Sequence, residues 1–183
     1  DLTMSIVSID DFTGRFFMSV NDYNTQQIQD VISEFEKDIL VNTIGIELYN
    51  DFLADFNAGS GAPTQERWVD FLNGKLYSPS QSRTTIEYKG CLDSLVPMIY
   101  GRIMRNNLYT TDLGFVQGET NGATAATITQ MKNKADSAWN EGLKKRKELF
   151  VFLNEYDDLY TDFEYYYRFY NHRATLITKG LRS

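Results

Sequence analysis

Apolar residues recur every three or four positions over much of the chain, which is the spacing of one face of an α-helix. The first clear run predicts a helix over residues 24–41, with the apolar positions Ile28, Val31, Ile32, Phe35 and Ile39. Gly45 interrupts this pattern. A second amphipathic helix is expected directly after the glycine, with the apolar positions Ile46, Leu48, Tyr49, Phe52, Leu53 and Phe56.

Capping and turn-forming residues separate the other segments. The letters SIDD at the start of residues 8–17 have the form of a capping box, which predicts a short helix there. The stretch 57–63 (NAGSGAP) is typical of a loop. Thr64 is a candidate N-cap for a short helix that carries Trp68 and ends before Gly74.

The second half of the chain alternates polar segments with longer helical patterns. Residues 75–89 predict a loop or a small β-hairpin, in which residues 84–88 are the best strand candidate. A helix is expected over residues 90–108, with Pro97 as a kink or break in its first turns. The longest helix is expected over residues 123–154, and Trp139 would flank its apolar face. That face carries the mostly small residues Ile128, Met131, Ala135, Ala138 and Gly142, which would let another helix approach closely.

The most unusual pattern lies near the C-terminus, where aromatic residues stand three or four positions apart and mark one helical stripe. Its members are Phe152, Tyr156, Tyr160, Phe163, Tyr167 and Tyr170, broadened by Tyr166 and Phe169. Such a stripe either covers the chain's own core or binds a partner. Aromatic residues on more than one face favour a partner, because interfaces are enriched in them. These eight residues are therefore a candidate protein interface.

Together these patterns predict a mainly α fold, namely a bundle of four to five helices with a long C-terminal helix or arm and at most one small β-hairpin. We expect a helical core over residues 1–148 and an aromatic-rich arm over residues 149–183.

Charge and composition narrow the possible functions. The chain has 183 residues and a formal net charge of −7, which argues against broad nucleic-acid binding because phosphate contacts need surplus Lys and Arg. Cys91 is the only cysteine, so no intrachain disulfide can form. No apolar run reaches the roughly 20 residues of a membrane helix, so we expect no membrane partner. The first residues show no signal-peptide pattern.

The residues that could carry chemistry have simpler interpretations. His172 is the only histidine, which excludes sites that need two. Cys91 lies on a predicted apolar helix face, where a free cysteine behaves as a small hydrophobe. The many carboxylates are typical of solvated helix faces. We expect no enzyme, no catalytic residue, no cofactor and no metal site.

One basic run, KKRK at residues 144–147, stands out. Four consecutive residues point around a helix in all directions, so the run does not predict a one-sided patch. It precedes the acidic residues of the C-terminal region by about two turns. Charge pairing between molecules or plain solvation are the favoured interpretations, with nucleic-acid contact as a less favoured one.

Several of these features taken together resemble the head–tail connector, or adaptor, proteins of tailed bacteriophages. In that family a first long helix leads through a glycine turn into a helix with a Leu-Tyr pair. Next come a helix with a Trp, a loop with Gly and Tyr, a helix that starts at a Lys-Gly pair, and a long helix with a Trp near its end. The matching features here are the letters IGIELY at residues 44–49, Trp68, Gly74 with Tyr77, Lys89-Gly90 and Trp139. The resemblance covers about residues 8–150.

The resemblance implies a structural virion protein whose copies form a ring, typically dodecameric, at the portal vertex. Such a ring joins the capsid and its portal protein to the tail or to further ring proteins, and it lines the DNA channel. Genomic DNA would pass through without sequence-specific binding. The net charge of −7, independently of the resemblance, suggests that acidic residues face the channel and help the DNA slide. Assembly would take place in the cytoplasm of the host bacterium. The family brings no active-site residues.

Two other functions stay open from the residues alone. The first is a cytosolic helical adaptor without catalytic activity that binds another protein through the aromatic stripe. The second is an enzyme with a carboxylate site in a helical cleft.

Overall fold

The fold is mainly helical, as predicted, with one small antiparallel hairpin. A computed structural model describes residues 5–18, 25–80, 84–107 and 128–163. Within these residues five α-helices and two short strands follow one another along the chain. They are α1 (Thr25–Ile44), α2 (Ile46–Ala58), α3 (Glu66–Asn73), β1 (Lys75–Tyr77), β2 (Ile86–Tyr88), α4 (Leu92–Asn107) and α5 (Ile128–Glu155).

The break between α1 and α2 lies at Gly45, as the sequence predicts. Gly45 has φ of 91°, a backbone conformation that a residue with a Cβ rarely adopts. Its amide still donates to the Val41 carbonyl, and its own carbonyl accepts from the Tyr49 amide. The chain therefore changes direction over a single residue without leaving these backbone groups unpaired.

The predicted hairpin follows α3 directly. Leu76 pairs with Glu87 in the centre of the antiparallel register, and Tyr77 pairs with Ile86. Tyr77 and Tyr88 are buried, whereas Leu76 points away from the core and is 68% exposed. The hairpin is fixed to α3 by the Tyr88 hydroxyl, which donates to the Phe71 carbonyl at 2.9 Å. The predicted short helix begins after Gln65 rather than Thr64, because the Thr64 hydroxyl and amide both donate to Asp55 instead.

The largest helix contact joins α4 and α5, and it uses the small residues that the sequence marked out. Ala135 and Ala138 of α5 are buried. A Cβ at Gly142 would lie 2.8 Å from the Ser94 carbonyl oxygen of α4, so only glycine fits at this distance. The helix that approaches closely is therefore α4 of the same chain. α4 continues through Pro97 without ending there.

The N-terminal segment differs from its prediction. The capping box at Ser8 and Asp11 is present, but it starts a 3₁₀ turn over Ile9–Asp11 and not a helix to residue 17. Thr13 has an extended backbone, and Gly14 has φ of 57°, so the α conformation cannot continue. A second 3₁₀ turn covers Gly14–Phe16.

A buried carboxylate holds this N-terminal segment against α1. Glu36 is 3% exposed, and its Oε2 accepts hydrogen bonds from the amides of Ile6 (2.9 Å) and Val7 (2.7 Å) and from the Ser5 hydroxyl (2.8 Å). Burial raises the pKa of Glu36 above its usual 4.5, an effect that these hydrogen bonds only partly offset and that nearby Asp11 reinforces.

We expect the stability of this contact to depend on pH through Glu36. Because its pKa is higher in the folded than in the unfolded chain, stability falls as pH rises from about 4.5 through the raised pKa. Glu36→Gln removes this component. Wild type should therefore gain free energy of unfolding relative to Glu36→Gln as the pH is lowered from 7 to 4.5, measured by urea denaturation. The exposed Glu34→Gln is the control, and a difference that is independent of pH would contradict the assignment.

The predicted boundary between residues 148 and 149 does not correspond to a structural division. α5 runs from Ile128 to Glu155 without a break, and Leu149, Phe152 and Leu153 are buried in the same core as α1 and α4. Residues 149–163 therefore belong to the core, and the rest of the predicted arm lies outside the described residues. No described helix combines the length and the apolar character that crossing a membrane would require.

Candidate interaction surfaces

An aromatic cluster closes the end of the core where α5 ends. Trp68 of α3 is fully buried at its centre, with ring centroids 5.4 Å from Phe52 and 5.6 Å from Tyr160. The Tyr88 ring stacks on Phe152 at 4.3 Å. Four different elements and the segment after α5 therefore share one group of rings, whose tilted and edge-on arrangements add to the burial of apolar area.

Hydrogen bonds fix the segment after α5 to α3. The Tyr160 hydroxyl donates to the Arg67 carbonyl at 2.5 Å, and the Arg67 guanidinium donates to the Leu159 carbonyl at 3.0 Å. The same guanidinium lies 4.6 Å above the Trp68 ring. Burial raises the pKa of Tyr160 well above its usual value of 10, so the hydroxyl stays a donor.

The prediction that these aromatic residues form an exposed interface requires a correction. Phe152, Tyr160 and Phe163 are each only 1% exposed, because they pack on α3, on the hairpin and on α5 of their own chain. Tyr156 is half-buried against Tyr77. These residues therefore do not form an exposed stripe. The other four predicted interface residues, Tyr166, Tyr167, Phe169 and Tyr170, lie outside the described residues.

The surroundings of the residues that were candidates for chemistry do not indicate a reactive or metal-binding site. Cys91 is buried, and burial raises its pKa far above the usual value, so its thiol is not a reactive thiolate. Within residues 5–18, 25–80, 84–107 and 128–163, no group of three or more His, Cys, Asp or Glu side chains could hold a metal ion. His172 lies outside these residues.

The arginines reveal a feature that the sequence pattern does not show. Four of the five arginines in the described segments pair with a carboxylate, namely Arg15 with Glu141, Arg67 with Asp51, Arg102 with Asp38 and Arg105 with Asp136. Arg146 is the fifth. It is half-buried, its guanidinium lies 5.4 Å from the Phe150 ring centre, and none of the described carboxylates pairs with it. Burial lowers its pKa.

The rest of the basic run divides into two kinds of residue. Lys145 pairs with Asp93 of α4 at 2.6 Å and with Glu141 of its own helix α5 at 3.4 Å. Lys144 and Lys147 are exposed, and neither has an acidic partner among the described residues. The run is therefore not one-sided, because Lys144 and Lys147 are exposed whereas Lys145 and Arg146 are half-buried.

Exposed apolar side chains are few and scattered. The largest exposed fractions belong to Leu76 of the hairpin and Phe17 of the N-terminal segment, at 68% and 66%. Val151 of α5 and Leu159 beyond it are about half exposed. Single exposed apolar residues are normal on protein surfaces.

Comparisons of the chain with protein-family models, with curated proteins and with solved structures give no match.

Proposed function

We propose that this chain is a structural protein of a phage virion, a subunit of a ring at the portal vertex that joins the portal to the tail and lines the DNA channel. The observation that carries the proposal is the order of elements. Two helices meet at Gly45. They are followed by a helix with Trp68, a small hairpin, a helix after Gly90 and a long helix with Trp139. This is the order that the resemblance to connector proteins implies.

The charged side chains of the described residues support a role in assembly. Most described carboxylates pair with basic side chains, cap turns or lie exposed, Glu36 and Asp55 are buried and accept hydrogen bonds from the chain, and no group of them could hold a metal ion. Charged groups of both signs, including Lys147 and Asp158, are exposed and form no ion pair with another described residue. Charged groups that are left without partners inside a subunit are available for contacts between subunits.

The charge of the whole chain suits a channel through which DNA moves. A ring of chains that each carry a net charge of −7 repels the phosphate backbone, so the DNA is not retained. We therefore propose that acidic side chains face the channel and that DNA passes without sequence-specific contacts. A cryo-EM map of the assembled ring with a lumen lined by Lys and Arg would contradict this part of the proposal.

The assembly state tests the proposal most directly. We expect the purified full-length chain, alone or mixed with the portal protein of the same genome, to form a closed ring of many copies. Sedimentation velocity gives the mass, and negative-stain electron microscopy shows the ring. A chain that stays monomeric at every concentration and does not bind the portal protein contradicts the proposal. A defined one-to-one complex with a cytosolic protein would instead support the adaptor function.

A further inference from the structure

The chain after α5 turns back onto the helix that it follows. In a hydrogen-bonded turn directly after α5, the Leu159 amide donates to the Tyr156 carbonyl at 3.0 Å. Beyond this turn the ring centre of Phe163 lies 5.7 Å from that of Phe150, which belongs to α5 itself. We call residues 156–163 the return segment.

The return segment lies against a set of aromatic and polar groups that fits it closely. The Tyr160 hydroxyl donates to the Arg67 carbonyl at 2.5 Å, and the Tyr160 ring centre lies 5.6 Å from that of Trp68. Tyr160 and Phe163 are therefore each only 1% exposed. We call the residues that receive these two rings the cradle, namely Arg67, Trp68, Phe150 and Phe152.

The local sequence contains no signal that ends α5 at this point. Glycine, proline or a basic last turn usually marks the end of a helix. Neither glycine nor proline occurs between Gly142 and Gly180, and the last turn of α5 contains no basic residue. The aromatic spacing over residues 152–170 continues the helical period across the turn. Contacts with the cradle, rather than the local sequence, therefore hold the chain in the turn.

The turn leaves two backbone donors unused that a continuous helix would pair. No described residue accepts a hydrogen bond from the amide of Asp157 or of Asp158. In an uninterrupted helix these amides would donate to the carbonyls of Leu153 and Asn154. Aspartate is among the weaker helix formers, so the helix is interrupted most easily at these two residues. A continuous helix is therefore an accessible local alternative to the turn.

A continuous helix cannot keep the return segment on its own cradle. Phe163 stands thirteen residues after Phe150, which corresponds to about 20 Å along a straight helix. In the turned chain the two ring centres are only 5.7 Å apart. Straightening α5 would expose the rings of Tyr160 and Phe163 to water, which is unfavourable for large apolar groups. The straight form is therefore stable only where a second cradle receives these rings.

We infer that α5 extends through the return segment when copies of this chain assemble, and that the return segment of one copy then binds the cradle of the next. The cradle already fits this segment, so a second copy offers the same contacts that the chain makes with itself. Exchange of an identical element is a low-cost route to assembly. The inference rests on the proposed ring function for the order of the copies, and it names the segment that joins neighbours.

Substitutions in the turn test whether assembly needs a continuous helix. Asp157→Pro suits the turned chain, because proline is favoured at the second position of a turn and the Asp157 amide donates to no described residue. Proline does not fit inside a helix, so this variant should weaken assembly at least tenfold in sedimentation equilibrium. The midpoint of urea denaturation of the monomer should not fall.

The opposite change should favour the exchanged form. Asp157→Ala with Asp158→Ala raises helix propensity at both positions and should strengthen assembly by up to about tenfold. Asp157→Asn with Asp158→Asn is the control, because it removes the same two charges and asparagine is as weak a helix former as aspartate. Equal strengthening by the alanine and asparagine pairs would mean that charge, and not helix continuity, limits assembly, which overturns the inference.

A photo-cross-linking amino acid in place of Leu159 shows which cradle the return segment occupies. Leu159 is 43% exposed, and its carbonyl accepts from the Arg67 guanidinium at 3.0 Å, so position 159 lies within reach of α3. Isotopically labelled and unlabelled monomers are mixed equally, assembled and irradiated, and mass spectrometry identifies the peptides joined between position 159 and α3. In exchanged assemblies, pairs of mixed isotope content should be as frequent as matched pairs.

The possible outcomes separate the exchange from the function on which it rests. Rings with mixed pairs support both. Rings with matched pairs only, or an unchanged assembly of Asp157→Pro, overturn the exchange and leave the ring function standing. A closed two-copy assembly with mixed pairs supports the exchange and contradicts the ring function. A wild-type chain that stays monomeric with and without the portal protein overturns both.

Discussion

Replacing Tyr160 by Ala is expected to destabilise the folded chain by about 3–5 kcal/mol, the range for removing a large buried ring. Tyr160 is 1% exposed, touches the Trp68 and Phe152 rings and donates to the Arg67 carbonyl. The substitution leaves a cavity beside Trp68 and Phe152 in the aromatic cluster. A loss of this size is a large part of the 5–15 kcal/mol that typical domains have, and urea denaturation measures it.

Two matched variants identify the cause. Tyr160→Phe keeps the ring and removes only the hydroxyl, so it should cost about 1 kcal/mol. Leu159→Ala changes the exposed neighbour and should have little effect. If Tyr160→Ala unfolds at the same urea concentration as wild type, the segment after α5 does not pack on α3. The aromatic stripe would then be free for a partner, as its aromatic residues on more than one face predict.

Replacing Gly142 by Leu should destabilise the chain by at least about 3 kcal/mol, although leucine is the better helix former by about 1 kcal/mol. A Cβ at Gly142 would overlap Met98 Cγ and would lie 2.8 Å from the Ser94 carbonyl oxygen. The second contact is with backbone, which cannot move aside unless α4 and α5 separate. Gly101 of α4 is equally restricted, since its Cβ would lie 2.8 Å from the Ala135 carbonyl oxygen.

Ser137→Leu is the control for this experiment. It adds the same side chain to α5 at an exposed position, so its effect should stay within about 0.5 kcal/mol. Thermal unfolding followed by far-ultraviolet circular dichroism reports both variants. Equal midpoints for Gly142→Leu and Ser137→Leu would mean that α4 and α5 do not approach closely at Gly142.

The local pattern of the sequence predicts most of the helices, because a helix that buries one face shows its period directly. The apolar run around Ile32 forms α1, which ends just before Gly45. The small residues of α5 around Ala135 form the contact with α4. The N-terminal segment did not follow its pattern. The capping box depends on neighbouring residues and was predicted correctly. The extended backbone at Thr13, by contrast, does not follow from the spacing of apolar residues.

Glu36 had a weak signal in the sequence, whereas Arg146 had none. Glu36 occupies a position four residues after Ile32 and four before Leu40, so an acidic residue interrupts an otherwise apolar face. The expectation of a solvated carboxylate was nevertheless wrong for Glu36, which is buried and accepts hydrogen bonds from backbone amides. Arg146 had no such signal, because a missing ion pair depends on which carboxylates the fold brings near it.

The sequence by itself determined the helical class, the break at Gly45, the hairpin position and the small-residue face of α5, since each depends on residues close together in the chain. Only the tertiary structure decided that Phe152, Tyr160 and Phe163 cover their own core and that Lys145 pairs with Asp93. The physical reason is that an apolar or charged side chain has the same sequence pattern whether its partner lies in its own chain or in another. Which of the two it meets depends on contacts between residues far apart in sequence, and those exist only in the folded chain.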